Sequence, residues 1–418
     1  MMEQAKNWAG NIVYQATAVK YPTSIAELQE IVRQTPKLRV LGTRHSFNRI
    51  ADTTAVHISL DKLPAKIDFN HQEKTVTVSG NLRYGDLCLA VAAEGYALHN
   101  MASLPHISVV GAIGTATHGS GSQNGNLATA VTALTLINAA GDLIELSRQR
   151  NGAQFDGMVV HLGNLGVIVH VTLVLLPTFS MRQFVYTNLP FEKVTTNFQT
   201  VMSSAYSVSL FTDWRGETIN QLWLKERVDS RSALPQERFF DGVLAKRPYH
   251  PIDTAPAESC TEQMGVVGAW FERLPHFRMD FTPSFGEELQ SEYFVPIESG
   301  AAALRAIHQI RDKIAPQLFI SEIRTVAADG LWLSPCYQQD SAAIHFTWKP
   351  NLSEVYKILP EIERALLPFR VRPHWGKLFD LSGKYLHHIY PKLEDYRALI
   401  KQFDQKGKFQ NAFIQEHI

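Results

Sequence analysis

Cysteine is scarce in this chain: Cys88, Cys260 and Cys336 stand far apart among 418 residues. They supply neither a disulfide framework nor the paired spacing of a metal site, so a reducing compartment and no bound metal are expected. Long apolar runs are absent as well. A membrane helix needs about 18 uninterrupted apolar residues. The nearest approach, VVHLGNLGVIVHVTLVLLP over 159–177, is interrupted by His161, Asn164 and His170, and its β-branched residues and closing proline predict buried strands. The opening MMEQAKNWAGN lacks the basic and apolar regions of a signal peptide, which points to a cytoplasmic protein without a membrane partner. Charge of one sign is missing too. Forty basic residues balance forty acidic ones, which excludes the electrostatic footprint of a nucleic-acid binder and favours a small neutral substrate. No internal repeat or low-complexity tract occurs, and no compact hydrophobic stripe suggests an obligate interface, so a monomer is expected.

What is present reads as a globular protein of ordinary composition, 45% apolar and 19% charged, long enough for two cores. Over 1–178, short strands and helices mix. SIAELQEIVRQ, Ser24 to Gln34, has amphipathic helical spacing with Thr23 or Ser24 as N-cap, and LRVLG follows as a strand. TVTVSGNLRYGDLCLAVAAEGYAL predicts an alternating strand, a turn and a helix closing near Gly95, and ALTLINAAGDLIEL predicts two strands joined at Gly141-Asp142. Over 179–375, the aromatic-rich segments YSVSLFTDW, QLWLKERV, LFISEIRTV and AAIHFTW predict an antiparallel sheet, with helices at Ala301–Ile314 and Leu352–Leu367 on one face. Asp229 to Ala257, rich in proline and mixed charge, is expected to be a surface excursion.

Two glycine-containing segments carry the first chemical signal. Gly111, Gly114, Gly119, Gly121 and Gly125 fall within fifteen residues, a density that lets backbone N–H groups converge on an anion or lets segments pack tightly. Their spacing is not GxGxxG, and no lysine follows as in a P-loop, which weakens nicotinamide and ATP readings. In RVLGTRHSFN, residues 39–48, His45 follows a turn. Taken alone, such a histidine is an ordinary surface or hydrogen-bonding residue.

Three segments together say more. GTRHSFN (42–48), NMASLPHISVVGAIGTATHGSG (100–121) and LGNLGVIVHVTL (162–173) resemble, in this order, the vanillyl-alcohol oxidase type of flavoprotein. The chain as a whole, from NWAGNI to GKFQNAF, is similar to the alditol (xylitol) oxidase branch of that family. The resemblance implies an α+β fold: a PCMH-type FAD-binding domain of two α+β subdomains, a substrate domain on a large antiparallel sheet flanked by helices, and a segment over 376–418 returning to the flavin. It implies FAD attached covalently to His45, with Gly42, Thr43, Arg44, Ser46, Phe47, Asn48, Ser103, Ser108, Gly111, Ala112, Gly114, Thr115, His118, Gly119, Gly166, Ile168 and Asn411 around the cofactor, and Lys408 to Asn411 near its ring. A neutral imidazole is a nucleophile able to make such a bond. Thr43 and Arg44 depart from the Ser-Gly expected before the histidine, which leaves the loop geometry open.

The substrate side falls in the second region. Glu322 and Arg324 are two apart in one strand, as are His345 and Thr347 in another, so each pair projects from one face. Two solvent-facing strand surfaces would give the same pattern. Lys377 follows a Trp375-Gly376 turn in an apolar setting, where it is available for proton work, although an exposed loop lysine is the commoner case. The resemblance implies that Ser103, Glu322, Arg324, Thr347 and Lys377 bind a polyol. It assigns catalysis to Lys377, His345 and Arg324: hydride passes to flavin N5, the hydroxyl proton is removed, and oxygen is reduced to hydrogen peroxide. An aldonolactone (gulonolactone-type) oxidase or dehydrogenase, and a flavin-binding protein without turnover, remain alternatives.

Overall fold

Residues 5–229, 234–281 and 288–418 are described in the computed structural model. Ser24 caps the helix Ile25–Gln34 by accepting from the Glu27 N–H, and Leu28 and Val32 on its inner face are fully buried. They pack on a three-stranded parallel sheet ordered Ala18–Lys20, Val56–Ser59, Leu38–Leu41. The same cluster takes in Ile137, Val167 and Val169 of a second sheet, so the helix joins two small α+β units.

The second sheet is antiparallel, ordered Ile67–Asn70, Thr75–Ser79, Val167–Val174, Val131–Ile137, Leu143–Ser147. The alternation in TVTVS appears as buried Val76 and Val78, and Gly141 makes the hairpin turn at φ +84°, where glycine carries no steric cost. Residues 160–166 depart from the expected run of strands. Asn164 accepts from Arg39 Nη1 (3.0 Å) and donates to Tyr396 Oη (3.3 Å), which holds this stretch as a loop between a short helix, Phe155–Val159, and the strand.

The third sheet has ten strands, all antiparallel. Its order is Arg238–Phe239, Gly242–Leu244, Ser180–Pro190, Thr218–Arg227, Ser207–Thr212, Leu318–Val326, Ser341–Trp348, Leu289–Pro296, Arg372–Pro373, with Gly268–Ala269 beside Ser180–Pro190. One face meets the helices Gly300–Gln309 and Leu352–Leu366 through Ile323, Ile344 and Phe346; the other carries Glu322, Arg324, His345 and Thr347. The helix expected over 301–314 stops at Gln309 and restarts at Arg311–Ile314, and Arg311 Nη1 donates to the freed carbonyl of His308 (3.0 Å).

The described part of the stretch from Asp229 to Ala257 lies largely at the surface, as expected, but it is folded onto the large sheet. Residues 230–233 lie outside the described residues, but 238–244 form the edge hairpin of the large sheet. Tyr249 and Ile252 pack against the cluster that contains Phe211 and Trp223. At the C-terminus the chain returns to the parallel sheet. Leu38 N–H donates to the Lys408 carbonyl (2.9 Å), and Phe409 is buried in the cluster around Leu28. The fold is thus α+β, two small units and a large antiparallel sheet flanked by helices. No helix among the described residues is long and apolar enough to cross a membrane.

Candidate active site

A cavity of about 310 Å³ lies between the glycine-containing loops of the two small units and the helix-free face of the large sheet, within the size range of ligand sites. Its two walls are built differently.

The loop wall begins where the strand Leu38–Leu41 ends. A Cβ at Gly42 or at Gly111 would come within 2.6 Å of Ser108 Oγ, so residues 42 and 111 both crowd around Ser108 and a larger side chain at either would make its hydroxyl turn away. The Ser108 N–H donates to Thr43 Oγ1 (3.0 Å). Thr43 therefore ties the two motifs together. Arg44 adopts φ +62°, a conformation that favours glycine, and its carbonyl accepts from Trp8 N–H (2.8 Å). The turn is kept despite the substitution.

His45 stacks on Trp8, centroids 5.3 Å apart and planes at 21°. Both ring nitrogens are buried without a hydrogen-bond partner. Burial, then the neighbouring charges of His106, Arg83 and Arg44, push its pKa down to about 4, outweighing the nearby Thr43 backbone, so the ring is neutral. His161 Nδ1 accepts from Gly163 N–H (2.9 Å), which puts the ring hydrogen on Nε2, buried and unpartnered beside Gly114. Buried polar atoms are normally paired. Orphaned nitrogens beside closely approaching glycine loops mark a surface made to be covered by a ligand, and a flavin nucleotide fits that description.

The sheet wall is set by register. Phe211, Glu322, His345 and Glu292 are direct cross-strand neighbours. Two residues along, Arg324 faces Ala343, and this small side chain lets the guanidinium reach Glu292, with Nη2 to Oε1 at 2.7 Å. Lys377 Nζ donates to Glu292 Oε2 (2.7 Å), and His118 Nε2 lies 3.2 Å from Oε1. Burial alone would raise the Glu292 pKa, but Lys377, His118 and Arg324 outweigh it and hold the carboxyl well below its usual range.

Lys377 Nζ also donates to His345 Nδ1 (2.9 Å), so His345 carries its hydrogen on Nε2 and donates to Thr347 Oγ1 (3.0 Å). Burial, then Lys377, depress the His345 pKa well below normal, and burial lowers that of Lys377 against the pull of Glu292. Ser103 Oγ accepts from Arg324 Nη1 (3.3 Å). Glu322 Oε1 accepts from His276 Nε2 (2.7 Å) and lies 3.5 Å from Arg324 Nε. Arg324 and His276 together overcome burial and keep the Glu322 pKa low.

Most residues expected from the sequence line this cavity: Ser103, Glu322, Arg324, His345, Thr347 and Lys377 on the sheet side, and Gly42 to Phe47, Ser108, Gly111, Ala112, Gly114, Thr115, Gly166 and Ile168 on the loop side. His118 lines it too, but its Nδ1 is paired with the Gly119 carbonyl (2.7 Å) and its Nε2 faces Glu292, which places it with the substrate-side network. Three expected residues are not in the lining. Asn48 donates to the carbonyls of Trp375 (2.8 Å) and Lys377 (2.7 Å), fixing the loop that carries Lys377. Gly119 has no room for a Cβ beside Asn100 and Met101, so it serves packing. Asn411 caps the last helix and donates to the carbonyls of Arg49, Ile50 and Asp52; the whole Lys408–Asn411 stretch braces the parallel sheet.

Sequence reasoning missed Glu292, His276, Lys225, Trp8 and His161. Glu292 had a usable signal, a lone carboxylate at a pocket-facing step of an otherwise apolar strand, SEYFVP. The others acquire meaning only from distant partners.

Residues 16–147 match a family model described as FAD binding domain, and residues 272–417 one described as D-arabinono-1,4-lactone oxidase. An alditol oxidase from Streptomyces sp. is 45% identical over 419 residues, covering 100% of this chain and 99% of that protein. The L-gulonolactone oxidase of Mus musculus is 26% identical over 440 residues, covering 99% and 98%. The solved structure of a solvent-stable cholesterol oxidase superposes with a TM-score of 0.78 over 99% of this chain and 96% of that one at 15% identity, a likeness of fold.

Proposed function

The chain belongs to the alditol oxidase family of FAD-dependent oxidoreductases, and we propose that it oxidises the terminal hydroxyl of alditols such as xylitol or sorbitol to the aldose, reducing oxygen to hydrogen peroxide. One observation carries this reading. Glu322, Arg324, His345, Thr347 and Lys377 converge on one face of the sheet with carboxylates and cations already paired. A neutral polyol brings no charge to grip, so discrimination must come from several directed donors and acceptors, and this wall offers them.

Gly42 to Phe47, Ser108, Gly111, Gly114, Gly166 and Ile168 would hold FAD, tethered covalently through the neutral ring of His45. When bound, FAD supplies the acceptor for the C–H electron pair and passes the electrons to oxygen. The chain handles the proton. A substrate oxygen entering between Lys377 Nζ and His345 Nδ1 would receive a hydrogen bond from the ammonium and donate its own proton to the imidazole, replacing the direct contact between them. Arg324, anchored by Glu292, stabilises negative charge developing on that oxygen. Glu322 and Thr347 bind the hydroxyls further along the chain.

The lactone-oxidase match over 272–417 supports a second reading, oxidation of an aldonolactone. A peroxide assay with xylitol, sorbitol and L-gulono-1,4-lactone separates the two. Peroxide from the alditols in preference to the lactone is expected; peroxide from the lactone alone would replace the first reading with the second.

A further inference from the structure

Beside Glu322 lies a second lysine–histidine pair that the reaction described above does not use, with His276 in the cavity lining and Lys225 behind it. Lys225, on the strand Thr218–Arg227, is buried, and its Nζ donates to the carbonyls of Leu274 (2.7 Å) and Pro275 (2.8 Å) and to His276 Nδ1 (3.0 Å). His276 is held edge-on between Phe211 and Trp223, at 5.6 and 5.2 Å, and its Nε2 stands 2.7 Å from Glu322 Oε1. Lys225 forms no salt bridge of its own among the described residues. A buried ammonium without a counter-ion is costly, so its charge must be compensated through the imidazole.

We propose that Lys225 and His276 form a positioning pair that commits one oxygen of Glu322 and leaves the other to receive substrate hydroxyls. The inference rests on the polyol reading of the site. Its physical basis is a count of protons. At 2.7 Å, a hydrogen must lie between Nε2 and the ionised carboxylate. If Lys225 is an ammonium, its three hydrogens go to the two carbonyls and Nδ1, and neutral His276 carries hydrogen on Nε2. If Lys225 is a neutral amine, its two hydrogens go to the carbonyls, it accepts from Nδ1–H, and His276 is an imidazolium that again carries hydrogen on Nε2. Both states hold one positive charge and both donate to Glu322. Burial lowers the pKa of Lys225 to about 7 and that of His276 to about 4, which favours the first arrangement, with the proton on Lys225.

Both recorded contacts of Glu322, to His276 and to Arg324, fall on Oε1. Oε2 is then the acceptor presented to the cavity. The loop also reaches Ser103, whose carbonyl accepts from the N–H groups of His276 (3.1 Å) and Phe277 (3.2 Å). A test must therefore separate the imidazole's hydrogen bond from the packing of its loop.

The experiment uses the flavin-loaded enzyme and anaerobic flavin reduction by xylitol, which yields an apparent dissociation constant and a limiting rate. His276→Gln keeps a side-chain N–H donor, whereas His276→Leu and Lys225→Met remove the donor or its anchor. The leucine and methionine variants are expected to weaken xylitol binding about ten- to hundredfold, the range for a hydrogen bond to a charged group, with the limiting rate within about threefold of wild type. Glutamine should stay close to wild type. Equal loss in glutamine and leucine would assign the effect to packing and overturn the proposal, as would unchanged binding in all three. Should Lys225→Met not fold, the two His276 variants decide. Should wild type reduce its flavin with no alditol, the functional reading fails, and nitrogen-15 NMR of the His276 ring still tests the pair: hydrogen on Nε2 supports it, and a bare Nε2 overturns it.

Discussion

The two walls of the cavity differ in how they satisfy their polar atoms. On the loop wall, His45 leaves both ring nitrogens and His161 leaves Nε2 buried without partners. On the sheet wall, Glu292, Lys377, His345 and Thr347 form a chain of hydrogen bonds within the protein, and the buried His118 Nε2 and Arg324 Nε, which lack hydrogen-bond partners, each face a carboxylate. A surface that carries unmet polar groups is stable only when something permanent covers it. A surface whose charges are paired internally can release a neutral ligand to water without exposing a bare buried charge. The contrast is what the proposed function requires, with the resident cofactor on the loop wall and the exchanging substrate on the sheet wall.

Breaking the sheet wall at its centre should have the largest effect. Glu292→Gln leaves Arg324 and Lys377 without the anion between them, and such a break costs about 3–5 kcal/mol. Denaturant unfolding should show a loss of that size together with a collapse of flavin reduction by xylitol; a loss under about 1 kcal/mol would mean that the network does not depend on Glu292.

Next comes Lys377→Met, which keeps Glu292 paired with Arg324. The limiting rate of flavin reduction should fall about 10²–10⁴-fold, the span for a lost proton-handling group, while stability changes less than in Glu292→Gln. An unchanged rate removes Lys377 from the chemistry. In wild type, the pH dependence of that rate follows from the two depressed pKa values. His345 accepts a proton only when neutral, and its pKa lies well below 6.5, so the rate should hold as pH falls through 6.5. Lys377 acts as the ammonium with a pKa lowered from 10.5, so the rate should be lost on the alkaline side earlier than for an ordinary lysine. An acid limb centred near 6.5 would show that His345 is not held neutral by its surroundings.

The smallest effect belongs to the loop wall. Arg44 holds a left-handed conformation without glycine's freedom, so Arg44→Gly should stabilise the protein by about 1 kcal/mol, measured by thermal unfolding. Destabilisation would mean that the arginine side chain contributes more than its backbone costs.

The same contrast explains what could be read in advance. Period two in LFISEIRTV and AAIHFTW placed Glu322 with Arg324 and His345 with Thr347, because alternation is a local property of a strand. Glycine spacing marked the two segments of the loop wall, whereas their meeting at Ser108 joins stretches far apart in sequence and depends on the fold. Glu292 offered only its lone carboxylate and Lys225 no signal, since their roles depend on cross-strand register and on partners far along the chain, such as His118 and Lys377 for Glu292. Asn48, Gly119 and Asn411 were placed in the right neighbourhood but one layer too close, because a motif marks a structural unit without separating the residues that face the ligand from those that brace them. The sequence left the geometry at Thr43 and Arg44 open, and Arg44 takes a left-handed conformation there.

The most direct test of the contrast is the visible spectrum of the purified protein after its fold has been destroyed in acid or denaturant, compared with His45→Ala treated in the same way. The account predicts that wild type keeps the yellow of the flavin on the polypeptide and that the variant gives it up to solution. A colourless wild-type chain would contradict the assignment of His45, and with it the reading of the loop wall as the seat of a permanently tethered cofactor.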